Sequence, residues 1–166
     1  MKIYFDTEFY ENGKTIELIS IGAVREDGQT YYAETIDAGW LIGKDAWLRE
    51  NVKIHLPHDQ KKEKSIIAQE LKEFVGENPE FWAYYADYDW VVLCQLFGRM
   101  IDLPKGWPMF CRDLKQLAVD IEFDTNNLPQ MDPNKEHHAL NDALWNQEIH
   151  NFLLTEKRKY IWRMYA

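Results

Sequence analysis

The chain is 166 residues long, 46% apolar and 14% aromatic, with a formal net charge of −9. That length and apolar content exclude a disordered tail and leave room for one domain, residues 1–166, rather than two. The acidic balance excludes a clamp on long duplex nucleic acid through many phosphates, while leaving open a grip on a short chain end through bound cations. No apolar run approaches a membrane span, and the start reads as a strand rather than a secretory leader. Cys94 and Cys111 stand among apolar residues and read as reduced thiols of a cytoplasmic protein.

In chain order, residues 1–9 read as a strand and Glu11–Lys14 as a turn. Ile16–Arg25 is a second strand, Asp27-Gly28 a hairpin turn, and Thr30–Thr35 a third strand, which together make an antiparallel meander. Asp45–Val52 reads as a short helix with Trp47 and Leu48 as its apolar contacts, and Pro57–Lys64 as a polar loop. Ser65 is the expected N-cap of a helix running to Val75, with Ile66, Ile67, Leu71, Phe74 and Val75 buried and Gly76 as its stop. Phe81–Ala86 is a buried strand, Asp89–Phe97 a helix ended by Gly98, and Met109–Cys111 a short strand before a helix over Asp113–Val119. Thr125–Lys135, with its prolines and Asn/Asp, is a loop, and His138–Leu154 is the last helix. A meander followed by alternating helix and strand predicts an α/β fold of the ribonuclease-H-like kind, a mixed sheet flanked by helices.

Three places carry acidic groups in a telling order. Asp6 and Glu8 close the first strand, and residues i and i+2 of a strand share a face. Apolar neighbours on both sides, Ile3, Phe5 and Phe9, make two unpaired carboxylates there costly unless a cation compensates. Asp89 follows the buried strand, with an ordinary reading as a helix N-cap and with Asp87 as its rival. Asp142 lies in the last helix between the small residues Ala139 and Ala143, which suit close packing on the sheet. His137 precedes Asp142 by five residues and His138 by four. Each signal alone is a surface carboxylate, a cap or a structural histidine. Four carboxylates in three separated places, with a histidine near the last, point to two-metal phosphodiester chemistry.

Together these residues resemble the DEDD exonuclease superfamily. Its D-x-E motif matches Asp6-Thr7-Glu8, its following strand matches Ile19-Ser20-Ile21-Gly22-Ala23-Val24, and its aromatic-Asp motif matches Tyr88-Asp89. The H-x4-D spacing of His137 and Asp142, with His rather than Tyr at position 138, places the chain with the histidine (DEDDh) branch. The stretches Phe5–Phe9, Thr15–Gly22 and Ala86–Leu96 are most similar to the compact exoribonucleases named polyadenylate-specific 3′-exoribonuclease AS. Where many relatives carry Thr-Thr-Gly after D-x-E, this chain has Phe9-Tyr10, and Ser20 stands where many carry an acid.

The resemblance implies a metal-dependent 3′–5′ exonuclease that releases nucleoside 5′-monophosphates. Asp6, Glu8, Asp89 and Asp142 would hold two Mg²⁺ or Mn²⁺ ions, with Glu8 counted among the catalytic groups as well. His137 would take the proton of the attacking water. Thr7, Phe9, Tyr10 and Trp90 are the candidates for holding terminal nucleotides. The implied partner is a single-stranded nucleic acid, with RNA favoured on resemblance alone, and homodimers are common in the branch. The alternatives are a single-stranded DNA exonuclease, a ribonuclease-H-type endonuclease, or an inactive binding module of the same fold. Metal dependence and product size separate them.

Overall fold

The structure, a computed structural model, describes residues 1–165. Its centre is a six-stranded sheet ordered β4-β3-β2-β1-β5-β6. β1 (Lys2–Glu11), β2 (Ile16–Arg25) and β3 (Thr30–Thr35) form the expected antiparallel meander. β5 (Glu80–Ala83) lies parallel to β1, and β6 (Arg112–Asp113) parallel to β5. β4 is the pair Lys61–Lys62, parallel to β3 inside the segment expected to be a loop.

Alternation along β1 decides what each face carries. Ile3 and Phe5 point to one face, where they join Phe81, Ile67, Leu71, Trp90 and Leu93 beneath α3 (Lys64–Val75) and α4 (Asp87–Phe97). Tyr4 points to the other face and joins Val24, Trp82, Leu114, Ile149 and Leu153 beneath α5 (Leu114–Asp120) and α6 (Ala139–Tyr165). A third cluster closes one end of the sheet: Ile19 with α1 (Ala38–Gly43) and α2 (Ala46–Asn51). Glu8 pairs with Ser20 and Phe9 with Leu18, so Ile19 has no partner on β1. This is a β-bulge, and it bends the sheet at the end of the D-x-E motif.

Several expectations are corrected in detail. Ser65 is not an N-cap: α3 begins at Lys64 after Glu63, whose side chain makes no capping bond, and Ile66 is exposed. Asp89 is not a cap either, since α4 starts two residues earlier after Ala86. The strand expected at Met109–Cys111 forms at Arg112–Asp113, where Asp113 also caps α5 by accepting from Lys115 N and Gln116 N. α6 does not stop at Leu154, because the Glu, Lys and Arg residues that follow are good helix formers with no breaker among them.

Candidate active site

The C-terminal half of β1 forms the floor of a cleft of about 540 Å³. Asp6 and Glu8 point to the α6 face, and α6 brings Asp142 against them from the first turn of the helix. One carboxylate oxygen from each of the three lies within 4.8 Å of the others. Gly22 sets this approach. It pairs directly with Asp6, and a Cβ there would come within 2.3 Å of the backbone of Ala139 and Leu140. With no side chain at that point, the start of α6 rests on the sheet itself.

Asp89 reaches the same cleft from the opposite face. Its Oδ1 accepts from the Thr7 amide at 2.9 Å and from the Thr7 hydroxyl at 2.6 Å. Thr7 thus grips a carboxylate from α4 while its neighbours on either side face α6. Asp89 and Glu8 are both buried. The rival Asp87 is exposed and lies outside this cleft.

Burial and mutual repulsion push all four carboxyls up. Asp6 rises well above the usual carboxylate range, first through desolvation and then through Asp89, Glu8 and Asp142. Glu8 rises well above it too, through desolvation and then Asp142 and Asp89. Asp142 is pushed up to about 7 by desolvation, against the backbone N–H groups of His137 and His138. Asp89 is pushed up to about 6 by desolvation, against its bonds from Thr7. No Lys or Arg lines the cleft among the described residues. An all-carboxylate donor set with no cationic side chain beside it fits a hard divalent cation.

The two histidines go separate ways. His137 lines the cleft just before α6, in the left-handed region at φ 62°, with its ring edge-on to Trp47 at 4.9 Å. A non-glycine residue in that region is uncommon and marks a segment held by its surroundings. His138 stacks on Tyr32 at 4.6 Å, and burial pulls its pKa down.

Of the residues expected to hold nucleotides, Thr7 and Phe9 line the cleft, and Phe9 packs on Tyr88 at 5.8 Å. Trp90 does not: one position along α4 from Asp89, it turns into the core between Phe5 and Phe81. Tyr10 does not line it either, and sits against the α1–α2 cluster with Lys44 Nζ 5.0 Å from its ring. In the basic runs at residues 61–64 and 157–159, Lys62 pairs with Glu70, Lys64 with Glu17 and Lys159 with Glu156. Sequence reasoning missed Tyr84, Trp145 and Asn146 in the cleft wall. Trp145 Nε1 donates to Pro129 O at 2.8 Å and so ties the 125–131 segment to α6. The only signal was helical spacing, since Asn146 is one turn beyond Asp142.

A carboxylate cleft at the strand ends of a ribonuclease-H-like sheet fits the class of 3′–5′ exonucleases, to which the family and relatives assign the chain. The chain belongs to the 3′-5′ exoribonuclease Rv2179c-like domain family, whose model matches residues 1–154. Two relatives from Mycobacterium tuberculosis, named 3′-5′ exoribonuclease Rv2179c (strain H37Rv) and MT2234.1 (strain CDC 1551), are each 40% identical over 157 residues. Those matches cover 86% of this chain and 87% of each relative. Among solved structures, the zinc-bound E. coli ExoI–ssDNA complex superposes on 99% of the chain with a TM-score of 0.65 at 10% identity. A second E. coli Exonuclease I complex with an oligonucleotide gives 0.59 at 12% identity. These likenesses concern the fold, and the chain spans 42% of that longer polypeptide.

Proposed function

We propose that the protein is a metal-dependent exoribonuclease that shortens single-stranded RNA from its 3′ end, one nucleoside 5′-monophosphate at a time. The observation that supports this most is the meeting of Asp6, Glu8, Asp142 and Asp89 in one cleft that also holds His137. RNA is favoured over DNA by the family and by the relatives' names.

Asp6, Glu8, Asp89 and Asp142 would hold two Mg²⁺ or Mn²⁺ ions, which when bound supply Lewis-acid activation of water and charge neutralisation at the phosphate. The rest is the work of the chain's own side chains. Thr7 keeps Asp89 oriented through two donors on one oxygen. A ring nitrogen of His137, which lines the cleft just before α6, accepts the proton from the attacking water. Phe9 and Tyr84 offer aromatic walls for an unstacked terminal base, which a duplex end would present less readily. The two unpaired cysteines are in keeping with work in the cytoplasm.

The test incubates the full chain with 5′-labelled single-stranded RNA, single-stranded DNA and duplex, with Mg²⁺, Mn²⁺ or chelator. Stepwise loss from the 3′ end of RNA, abolished by chelator, is expected. His137→Ala should cost on the order of 10²–10⁴ in turnover and leave metal affinity nearly unchanged, whereas His138→Ala should act on stability. Full activity in chelator, or internal cleavage products, would overturn the reading.

A further inference from the structure

A second cleft, of about 610 Å³, opens beside the carboxylate one at the C-terminal ends of β5 and β6. Crevices outside the carboxyl ends of parallel strands are where open α/β sheets bind ligands. Its wall carries exposed aromatics, Tyr85 and Phe110, and cations from three elements, Arg112, Lys115 and Lys157. Two of the cations lie near rings: Lys115 Nζ is 5.9 Å from the Tyr85 centroid, and the Arg112 guanidinium is 5.8 Å from Phe110 and 5.6 Å from Trp82.

We propose that this cleft is the track for the upstream nucleotides of the strand whose 3′ end lies among the carboxylates, an inference that rests on the exonuclease reading. Aromatic faces alternating with cations are the chemistry that holds a single strand without reading its sequence: bases stack and phosphates are neutralised. Of the three aspartates in the wall, Asp87, Asp113 and Asp120, two are engaged by the protein's own donors. Asp113 spends its carboxylate on Ala86 N, Lys115 N and Gln116 N, and Asp120 accepts from Gln116 Nε2. Arg112 Nε stands 3.5 Å from Glu80, and Lys157 has no ion-pair partner among the described residues.

The second cleft lies next to the first. Tyr84 lines the catalytic cleft and Tyr85 the second one, with their rings edge-on at 4.8 Å. Tyr85 lies in the left-handed region at φ 55°, so consecutive tyrosines face two clefts at the end of β5. Lys115 Nζ donates to Thr125 Oγ1 at 2.8 Å, which joins the wall of one cleft to the wall of the other. A strand leaving the carboxylates past Tyr84 meets Tyr85 next, then Phe110.

The test compares a 5′-fluorescent ribonucleotide decamer with a dinucleotide on the full chain, by anisotropy with Ca²⁺ and by turnover with Mg²⁺. Wild type should bind the decamer about tenfold tighter than the dinucleotide, within the range of a stacked base or two. The double variant Phe110→Ala, Lys157→Gln should lose most of that gain while its dinucleotide turnover stays unchanged. Lys157→Gln alone should make the salt slope for the decamer shallower by about one. An equal length dependence in wild type and double variant overturns the proposal, as does a wild type that binds both lengths alike. A change of oligomeric state in the double variant, with length dependence intact, also overturns it and marks the face as an interface between copies. Length-dependent binding without turnover would keep the track and sink the exonuclease reading.

Discussion

The two ends of the contact between α6 and β1 bring polar side chains onto the same strand with opposite outcomes. At its start, Asp142 meets Asp6 and Glu8, and every carboxyl is pushed toward its protonated form. One turn on, Asn146 Nδ2 donates to Phe5 O at 2.9 Å. Another turn on, His150 Nδ1 and the Tyr4 hydroxyl share a 2.8 Å hydrogen bond, and the imidazole stacks on Trp82 at 4.0 Å. Burial holds that histidine neutral, with its pKa pulled down to about 4. The far end is satisfied within the protein. The near end leaves its carboxylates repelling one another. Polar burial that completes itself stabilises a fold, while polar burial left open marks a place where a ligand supplies the missing charge.

The largest expected effect breaks the near end alone. Asp142→Asn should cost at least about 10³-fold in Mg²⁺-dependent turnover, because metal ligation supplies several kcal/mol at the transition state. Its metal-free melting temperature should hold or rise, since one of the repelling charges is gone. A metal-free variant that melts well below wild type would show the carboxylates to be structural.

Gly22→Ala should damage both function and fold. The added methyl would meet the backbone of α6, so about 1–3 kcal/mol of stability should go, with a turnover loss of about 10²-fold from carboxylates moved out of place. Calorimetry and kinetics on the same preparation would check whether the two fall together.

His150→Ala breaks the far end. It should cost about 2–3 kcal/mol, through a cavity and a Tyr4 hydroxyl left without its partner. Turnover per folded molecule should stay within about twofold, and a much larger fall would mean that the two ends are coupled.

The smallest effect is a pH signature with opposite signs at the two ends. Asp142 and Asp89 have raised folded values, so their contribution to metal-free stability is complete below about pH 4 and lost as pH rises through about 6 to 7. His150 has a lowered one, so its contribution is present above about pH 6.5 and lost as pH falls through about 4. In chelator, the melting temperature of Asp142→Asn relative to wild type should therefore climb between about pH 5 and pH 8. For His150→Ala the deficit should shrink as pH falls across the same window. Saturating Mg²⁺ should flatten the first trend and leave the second untouched.

The near end was legible in the sequence and the far end was not. Asp6-Thr7-Glu8 and His137-x4-Asp142 are local patterns, and strand alternation and helix spacing carry them to one face without tertiary knowledge. Asn146 and His150 continue the same helix face, yet an isolated Asn or His in a helix looks like solvated surface until its partner on β1 is seen. Trp90 and Tyr10 were drawn toward the site by nearness in sequence, but helix rotation and sheet alternation turn them away from it. The pairs Lys61–Lys62 and Arg112–Asp113 are too short to have a period, and they become strands only because β3 and β5 offer edges. α1 itself carries two glycines, Gly39 and Gly43, and its N-cap Asp37 makes no side-chain capping bond.

The contact at Gly22 fixes the distance between two banks of a channel by main chain lying on main chain. A spacer built from side chains would breathe as rotamers exchange. Here no torsion is free to change its length, so the gap between Asp6 and the helix carrying Asp142 is as stiff as the sheet and the helix themselves. The gauge that spaces these carboxylates is cut from the least compliant material a polypeptide has.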